Sequence, residues 1–249
     1  MSHIISPHNP RLKSLRRLSS RRERERSGRF CAEGEDLIIA AERAGRPALE
    51  GYRLAGSGLG GEGFHDVERS ALGTISSLGS GTRVIGVYEQ RWSAPAGPLC
   101  VYLHGVADPG NVGTVVRSAQ AFGASCVALG PGCADPHSPK AVRASMGAIF
   151  AVTLARVADS RELPGERLAL LPDAPQTLRE MQAEGAPLTL LIGAEREGLP
   201  PALVAACERS ARIPIASESL NAAMAATVAL YEMTRHGPYA PPSSRVRTS

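Results

Sequence analysis

Short apolar runs recur along the second half of the chain. Each run is about as long as a strand, and stretches with helical spacing of apolar residues lie between them. Strands covered on both faces read as unbroken apolar runs, as these do. The pattern therefore predicts an α/β domain with a mostly parallel sheet and helices on its faces. The runs, from Leu99 onward, are LCVYLHG, CVALG, RLALL, LTLLIGA and RIPI.

The chain before Tyr88 has a different pattern. A basic segment of helical character leads to a second predicted helix near Glu35 to Ala44, and a short apolar strand, RVIGVYEQ, closes the region. The next segment, RWSAPAGP, predicts a linker, because prolines and small residues resist both helix and sheet. We therefore expect a first domain at 1–90, a linker at 91–98, a second domain at 99–237 and a flexible tail at 238–249.

The composition is that of a folded protein. In a chain of 249 residues, 43% are hydrophobic and 21% charged, which allows a substantial buried interior. No apolar window approaches the ~18 residues needed to cross a bilayer, and the N-terminus lacks an apolar stretch of signal-peptide length. The sequence therefore favours a cytoplasmic location without a membrane partner. The five cysteines are scattered without a CxxC pair, which argues against a disulfide framework and a zinc site.

Positive charge is concentrated near the N-terminus. Nine basic and two acidic residues lie between Arg11 and Arg29, so this segment carries +7 whereas the whole chain carries only +4. Arginine predominates, and its planar guanidinium donates paired hydrogen bonds to phosphate. On charge alone, a phosphate-binding surface and a solvated helix face are equally open. The candidate phosphate contacts are Arg11, Lys13, Arg16, Arg17, Arg21 and Arg22.

Two other patterns carry less weight. The stretch GSGLGGEG at 56–63 matches GxGxxG, but a dinucleotide site needs a strand before it, a helix after it and an acidic residue about 20 positions on. The residues that follow, EGFHDVERSAL, predict only a poor start to a helix, so a surface loop is favoured. Cys126, Cys133 and His137 match no common metal-site spacing, and we expect no metal.

Three stretches of the second domain place polar residues where a strand ends, which is where open α/β sheets bind ligands. The first is HGVADPGNVGTVVRSAQAFGAS, in which Asn111 is expected to cap a helix that runs to about Phe122 and stops at Gly123. Arg117 lies in this helix among small and apolar residues. An exposed salt bridge is the alternative to a functional role for Arg117.

The other two stretches share this arrangement. In LTLLIGAEREGLP, glycines after a buried strand let a ligand approach the backbone, and Glu195 by itself could be a loop carboxylate. In RIPIASESLNAAMAATVALYEMTRHG, Ser217 or Ser219 is the expected N-cap of a long helix closed by Gly237. Asn221, just inside this helix, is less easily explained by capping alone.

Together, the three stretches resemble the three motifs of the SpoU or TrmH-type branch of the SPOUT RNA 2′-O-methyltransferases. The resemblance rests on DPGNVGTVVRSAQAFG, LIGAEREGLP and IPIASESLNAAMAATVALYE in the family's order, with SPKAVRASMGAIF at 138–150 matching the stretch after the first motif. The N-terminal ISPHNPRLKSLRRL and RSGRFCAEGEDLI are similar to the family's accessory RNA-binding domain, which resembles kink-turn-binding ribosomal proteins. One departure is Ala222–Ala223, where members often carry Val-Ser.

This resemblance implies a C-terminal α/β SPOUT domain with a deep trefoil knot, preceded by a smaller α/β domain. It also implies S-adenosylmethionine as the cofactor and an active site at a homodimer interface. The catalytic and substrate-facing residues carried over are Asn111, Arg117, Glu195, Ser219 and Asn221. The residues expected to contact the cofactor are Gly193, Ala194, Glu195, Ile213, Ile215, Leu220 and Asn221. The residues expected to contact RNA are the basic residues of the N-terminal segment together with two from the stretch after the first motif, namely Arg11, Lys13, Arg16, Arg17, Arg21, Arg22, Lys140 and Arg143.

The implied reaction is an in-line attack of a ribose oxygen on a sulfonium methyl group, which needs alignment and removal of a proton but no metal. Arg117 is the family's suggested base, yet a guanidinium stays protonated in proteins. Our hypothesis is that Arg117 binds the neighbouring phosphate and stabilises the developing oxyanion, while water or a nearby acceptor takes the proton. Asn111, Ser219 and Asn221 would position the ribose, and Glu195 would anchor a backbone turn or Arg117.

Two alternatives stay open. The same chemistry could act on tRNA, although the accessory domain favours ribosomal RNA by resemblance, with an antibiotic-resistance methylase also compatible. The chain could instead be a catalytically silent RNA-binding protein. The intact motif residues argue against this alternative, because a silent relative would be free to lose them. Beside a methyltransferase domain, the basic segment is better read as an RNA contact than as a solvated face. Because aromatic residues are few, shape and backbone contacts should dominate RNA recognition.

Overall fold

A computed structural model of the protein describes residues 3–76, 81–181, 185, 187–217, 219–235 and 238–239. The predicted helix stop at Gly237 and most of the predicted tail lie outside the described residues. The chain forms two compact units, one of residues 1–91 with 135–151 and one of residues 92–134 with 152–249. The units part at the start of the predicted linker, but residues 135–151, expected in the second domain, cluster with the first unit.

Strands and helices alternate along most of the chain. The strands are β1 (His3–Ile4), β2 (Arg29–Glu33), β3 (Glu50–Leu54), β4 (Phe64–Val67), β5 (Val84–Glu89), β6 (Leu99–Leu103), β7 (Cys126–Leu129), β8 (Thr153–Arg156), β9 (Glu166–Leu170), β10 (Leu188–Ile192) and β11 (Arg209–Ala211). The α-helices are α1 (Pro10–Arg17), α2 (Arg21–Ser27), α3 (Glu35–Arg43), α4 (Arg69–Gly73), α5 (Pro109–Ala121), α6 (Pro139–Ala144), α7 (Pro201–Ala205) and α8 (Ala222–Thr234). Short 3₁₀ turns lie at Ala148–Phe150, Ser160–Glu162 and Leu178–Glu180.

The first unit is built on a mixed five-stranded sheet of order β1-β4-β3-β5-β2. The predicted strand RVIGVYEQ is confirmed as β5, and the predicted helix near Glu35 is confirmed as α3. The residues after the glycine-rich stretch, which predicted only a poor start to a helix, form β4 first and the short helix α4 after it. β4 is a strand because Phe64 and Val67 are buried and it pairs with both β1 and β3.

The basic segment folds as two helices separated by a turn. Asn9 caps α1 through a hydrogen bond of 2.9 Å from the Arg11 amide, with Pro10 at the first helical position. α2 ends at Gly28, whose φ of 65° is left-handed. The side chains that α1 and the turn bury are apolar, so most of the arginines face outward. These buried residues are Leu12, Leu15 and Leu18.

Arg24 is an exception within the basic segment, because its guanidinium is 2% exposed. Its Nε donates to the Asp135 carboxylate at 2.8 Å, and its Nη1 donates to the Leu18 and Ser19 carbonyls at 2.8 Å each. Burial alone would raise the pKa of Asp135, but hydrogen bonds from His137 and Arg24 outweigh it and hold the pKa well below its usual range. Arg24 therefore holds residue 135 to the first unit and is not a surface contact for phosphate.

Rings reinforce this attachment of residues 135–151. Phe150 lies 4.7 Å from Tyr88 and 5.9 Å from Phe30, measured between ring centroids, and Phe30 lies 4.8 Å from His137. Gly147 has a φ of 92°, and a Cβ there would come within 2.4 Å of the Cβ of Ala40. Aromatic packing and one close approach to α3 thus explain why this segment belongs to the first unit.

The second unit is built on a six-stranded, fully parallel sheet of order β11-β9-β10-β6-β7-β8. This confirms the predicted α/β class with a parallel sheet. The central strands β6, β7 and β10 are buried at every position, which explains their unbroken apolar sequence. The deep trefoil knot stays a prediction.

Two details of this sheet differ from the expectation. The run RIPI is not a strand. The strand β11 ends at Ala211, just before this run, and the Arg212 amide donates to the Gln176 carbonyl at 2.9 Å. β8 was not predicted, since in this edge strand only Leu154 and Ala155 are buried. An edge strand needs no long apolar run.

Helices α5 and α8 pack against each other in the second unit. Ser118 and Thr227 form a hydroxyl–hydroxyl hydrogen bond of 2.7 Å, and the rings of Phe122 and Tyr231 meet edge to face at 6.2 Å. Small residues such as Ala226 are buried in α8, which allows the close approach. This contact fixes the relative positions of the two helix N-termini.

Other expectations concern cysteines, metals and membranes. All five cysteines are free; Cys100 and Cys126 are buried and the other three are half-buried. Within the described ranges, no cluster of three or more His, Cys, Asp or Glu side chains could hold a metal ion. Nor does any helix of the described chain combine the length and apolarity needed to cross a membrane.

We predict that Arg24→Ala lowers the free energy of unfolding by about 3–5 kcal/mol, because Asp135 would keep a buried charge without its partner. Urea denaturation measures the change. The matched control is Arg22→Ala, an exposed arginine of the same helix, which should cost less than about 0.5 kcal/mol. Equal losses in the two variants would contradict the structural role of Arg24.

The same pair has a defined pH dependence. Since the folded-state pKa of Asp135 is lowered, its stabilising contribution is complete above the unfolded value of about 4 and is lost as the pH falls through the folded-state pKa. The stability difference between wild type and Arg24→Ala should therefore be constant from about pH 5 to 8 and shrink in stronger acid.

Candidate active site

The candidate site lies at the carboxyl ends of β6 and β10, in the middle of the parallel sheet. From β6 the chain builds β7 and β8 on one side, and β10 and β9 lie on the other side of β6. Loops that follow neighbouring strands therefore diverge here and leave a crevice, which is where open α/β sheets bind ligands.

The first loop leads from β6 into α5. The N-cap of α5 is Asp108, whose carboxylate accepts the Asn111 amide at 3.0 Å, and Pro109 takes the first helical position. The expectation that Asn111 caps this helix is wrong, because Asp108 already fills that role. The side chain of Asn111 is thereby available for a contact outside its own helix.

The second loop follows β10 and is a tight turn. The Gly198 amide donates to the Ala194 carbonyl at 3.0 Å, and a Cβ on Gly193 would lie 2.2 Å from the Gly198 carbonyl carbon. Gly198 has a φ of 65°, which favours glycine. The two glycines therefore close the turn and leave Glu195 exposed on it.

The third loop leads into α8, and Asn221 is its N-cap. Its Oδ1 accepts the amides of Ala223 at 2.9 Å and Met224 at 3.3 Å. The expected cap at Ser217 or Ser219 is wrong, since the Ser217 hydroxyl donates instead to the Ser219 carbonyl at 3.2 Å. Capping uses only the oxygen of the Asn221 amide, and its nitrogen stays available for another contact.

One carboxylate oxygen joins the three loops. Glu195 Oε1 accepts from Asn111 Nδ2 at 2.7 Å and from Asn221 Nδ2 at 2.6 Å, and Asn221 Nδ2 also lies 3.2 Å from Asn111 Oδ1. We call Asn111, Glu195 and Asn221 the Asn–Glu–Asn triad. Its carboxylate lies beside the N-terminus of α8, whose first amide, that of Ala222, is 3.5 Å away. The helix dipole favours a negative charge there.

Arg117 lies on α5, six residues beyond Asn111, and its side chain is exposed. It makes no hydrogen bond or ion pair with any residue of the described ranges, so the alternative of a surface salt bridge finds no partner there. Glu195 bonds the two asparagines and accepts the backbone amide of Ala222, and it makes no hydrogen bond or ion pair with Arg117. The Arg117 guanidinium therefore has its donors available for a ligand.

A cleft of about 590 Å³ opens beside the triad. Its size lies in the range of small-molecule sites. It is lined by six of the seven residues expected to contact a cofactor, namely Gly193, Ala194, Glu195, Ile213, Ile215 and Leu220, and also by Ser219. Asn221 is not part of the lining.

Another wall of this cleft is formed by residues that were not predicted from the sequence. Leu170, Leu171 and Pro172, at the carboxyl end of β9, line it as well. These residues carry no polar side chain that could mark them as functional. The signal that could have found them is their place directly after a buried parallel strand.

The residues expected to contact RNA all belong to the first unit. Lys13, Arg17 and Arg22 are exposed, whereas Arg16 is half-buried and donates to the Pro7 carbonyl and the Thr74 hydroxyl at 2.7 Å each. Arg16 is therefore committed to internal contacts. The remaining four are exposed, namely Arg11, Arg21, Lys140 and Arg143. Three of them also donate hydrogen bonds, from Arg11 to His65, from Arg21 to Glu25 and from Arg143 to Asp36.

Known proteins are similar to this chain in both its N-terminal and its C-terminal part. The SpoU rRNA Methylase family matches residues 98–231, and the MRM3-like substrate binding domain matches residues 9–56. An uncharacterized tRNA/rRNA methyltransferase of Synechocystis sp. is 30% identical over 94% of each chain. The Bacillus subtilis 23S rRNA (guanosine(2553)-2′-O)-methyltransferase RlmP is 26% identical over 94% of this chain and 99% of its own.

A solved structure is similar over nearly the whole chain. The AdoMet-bound rRNA methyltransferase from Sinorhizobium meliloti has a TM-score of 0.84 and 32% identity, covering 94% of this chain and 98% of its own.

We predict that Asn221→Ala destabilises the protein by about 1 kcal/mol, through loss of the helix cap. Asn221→Asp keeps a capping oxygen but places a second carboxylate against Glu195. This variant should be less stable than wild type at pH 7 and recover part of the difference at about pH 4, where one carboxylate is protonated. Urea denaturation at both pH values measures this, and Ser217→Ala, which should cost less than about 0.5 kcal/mol, is the control. An equal cost for Ser217→Ala would contradict the assignment of the cap.

Proposed function

This chain belongs to the SpoU rRNA methylase family, and from that premise we propose that it is an S-adenosylmethionine-dependent enzyme that methylates a ribose 2′-hydroxyl of ribosomal RNA. The observation that supports this most strongly is the Asn–Glu–Asn triad, which joins three separate stretches of sequence beside a cleft of about 590 Å³. A silent RNA-binding protein would need neither feature.

The lining of the cleft fits S-adenosylmethionine. Ile213 and Leu220 offer apolar contacts, and the turn at Gly193 and Ala194 contributes backbone groups to the lining. Gly193, Ala194, Ile213, Ile215 and Leu220 would hold the cofactor, with Asn221 acting indirectly through the triad. When bound, S-adenosylmethionine supplies an electrophilic methyl group on sulfur.

The residues of this chain align the ribose and stabilise the charge that develops on its oxygen. The triad fixes the loops after β6 and β10 relative to the start of α8, so that a nucleotide meets a preorganised surface. Ser219, which is exposed at the cleft, positions the ribose. Arg117 binds the adjoining phosphate with its unengaged guanidinium and stabilises the oxyanion, while the proton leaves to water or a neighbouring acceptor.

Ribosomal RNA is the favoured substrate over tRNA. The match to a substrate-binding domain covers the arginine-rich helices, and RlmP is named for action on 23S rRNA. In this proposal the exposed cations of the first unit supply affinity for RNA phosphates and the second unit supplies the chemistry. The cations concerned are Arg11, Lys13, Arg17, Arg21, Arg22, Lys140 and Arg143.

We also propose that the enzyme is a homodimer. On α8, Met224, Val228 and Tyr231 are 61%, 37% and 51% exposed. Their spacing of four and three residues places them on one face of the helix. An apolar stripe of this kind favours burial, and a two-fold axis would pair it with its own copy. Because Asn221 caps the N-terminus of α8, such an interface would adjoin the active site.

We predict that the purified protein transfers labelled methyl groups from S-adenosylmethionine to ribosomal RNA that lacks its own ribose methylations, giving a 2′-O-methylated nucleoside. Arg117→Ala should lower kcat at least about 100-fold, since it removes charge stabilisation. Arg117→Lys should also stay well below wild type, because an ammonium cannot donate paired hydrogen bonds. Transfer into separated ribosomal and transfer RNA fractions, followed by nucleoside analysis, is the measurement.

The matched control is Arg179→Lys, at an exposed arginine of the second unit, which should keep wild-type activity. Calorimetric titration should give all three variants the wild-type affinity for S-adenosylmethionine. Near-normal activity of Arg117→Lys would contradict the proposal that Arg117 donates two hydrogen bonds to the phosphate. Absence of cofactor binding by the wild type would favour the silent RNA-binding protein.

For the dimer, we predict that Met224→Glu combined with Val228→Glu weakens self-association at least about tenfold, because two charges would enter an apolar interface. Sedimentation velocity over a range of concentrations measures this. Leu49→Glu, at a leucine that is 51% exposed in the first unit, should leave association unchanged. A wild-type protein that stays monomeric throughout would refute the homodimer.

A further inference from the structure

A second cavity, of about 620 Å³, lies in the first unit between α1, α2 and the sheet. We call it the α1–α2 recess. It is comparable in volume to the cofactor cleft, yet no part of the proposed chemistry uses it. Its inner wall is apolar and its rim is cationic, and both properties matter for RNA binding.

The inner wall of the recess is apolar. Leu15, Leu18, Tyr52 and Val87 line it, and each is less than 9% exposed. Such a surface offers little to the phosphate backbone of a duplex, which is charged and convex. It suits the flat, apolar face of a single base that has left its stack.

The rim of the recess is cationic. Arg11, Arg17, Arg26 and Arg29 line it. Arg17 is exposed and forms no ion pair within the described part of the chain, whereas Arg26 is paired with Glu23 at 2.5 Å. The four guanidiniums outnumber the two carboxylates of the lining, so the recess attracts an anion such as a phosphodiester.

One carboxylate of the lining is positioned as an acceptor. Glu50 Oε2 accepts the Tyr52 hydroxyl at 2.7 Å, and burial is the main reason that the pKa of Tyr52 is raised. Glu50 Oε1 forms an ion pair with Arg29 Nη1 at 3.8 Å, a separation too long for a hydrogen bond, so its hydrogen-bonding capacity is not used by Arg29. The oxygen can therefore accept N–H groups from a ligand. Guanine presents two adjacent N–H donors on its pairing edge, whereas uracil presents one.

We propose that the α1–α2 recess binds one unpaired nucleotide of the RNA substrate, with a preference for guanine. The base lies on the apolar wall, its N–H edge donates to Glu50, and the adjoining phosphate contacts Arg17. This inference rests on the proposed function for the identity of the substrate class. It adds one base-specific contact to the shape and backbone contacts that are expected to dominate recognition, because a recess with an acceptor at its wall distinguishes between bases.

The test is fluorescence anisotropy of the full chain with fluorescein-labelled hepta-uridylate and with the same oligomer carrying one central guanosine, at constant low salt. The wild type should bind the guanosine oligomer about fivefold to tenfold more tightly, as expected for one or two added hydrogen bonds. Glu50→Gln should reduce that preference to less than about twofold. Arg17→Ala should weaken both oligomers alike and leave the preference intact, because a phosphate contact carries no base information.

Two controls separate recognition from folding. Glu62→Gln, at an exposed glutamate of the same unit, should keep the preference. Glu50→Gln retains an oxygen for the Tyr52 hydroxyl, and an unchanged melting temperature would exclude misfolding. Equal binding of the two oligomers by the wild type, or a preference that survives Glu50→Gln, would overturn the proposal.

Methyl transfer by the same proteins keeps this proposal distinct from the proposed function. Glu50→Gln should raise KM for ribosomal RNA severalfold and leave kcat unchanged. Guanine preference without methyl transfer by the wild type would leave the recess in place and refute the enzymatic function. Methyl transfer without guanine preference would refute the recess alone.

Discussion

The candidate site depends on Glu195, where two asparagine amides donate to one carboxylate oxygen. Asn111 lies in the first turn of α5 and Asn221 at the cap of α8, and the loop after β10 brings the carboxylate to them. Removing any one partner would leave a polar group without its bond and release a loop. The Ser118–Thr227 hydrogen bond and the Phe122–Tyr231 ring contact also hold α5 against α8, so the triad adds precision to a contact that already exists.

A comparable device holds the first unit. Arg24 draws Asp135 into contact with the turn after α1, and aromatic rings from β2 and β5 cover the segment that follows. A buried ion pair adds little net stability compared with apolar packing, but it is costly to break and specifies one arrangement. Charge thus has two roles in the basic segment: Arg24 organises the unit, while its exposed neighbours are available to a polyanion.

The helix caps illustrate the limit of local reasoning. Near the start of α5 there are two candidate caps, Asp108 before the helix and Asn111 in its first turn. Before α8 there are three, namely Ser217, Ser219 and Asn221. Each of these residue types caps helices well, so propensity cannot choose among them. Contacts outside each helix show the difference: Asn111 directs its side chain to Glu195 and leaves the cap of α5 to Asp108, whereas Asn221 caps α8 with its amide oxygen and reaches Glu195 with its nitrogen.

The sequence by itself determined the parallel α/β class, because buried strands leave unbroken apolar runs that survive without coordinates. The motif residues of three stretches, by their resemblance to a known family, also determined the family and the loops that meet at the site. Only the tertiary structure decided which side chains touch. It showed Glu195 bonded to two asparagines rather than to Arg117, Arg24 buried among exposed arginines, and residues 135–151 packed on the first unit. These outcomes rest on contacts between residues far apart in the chain, and periodicity and spacing report only on neighbours.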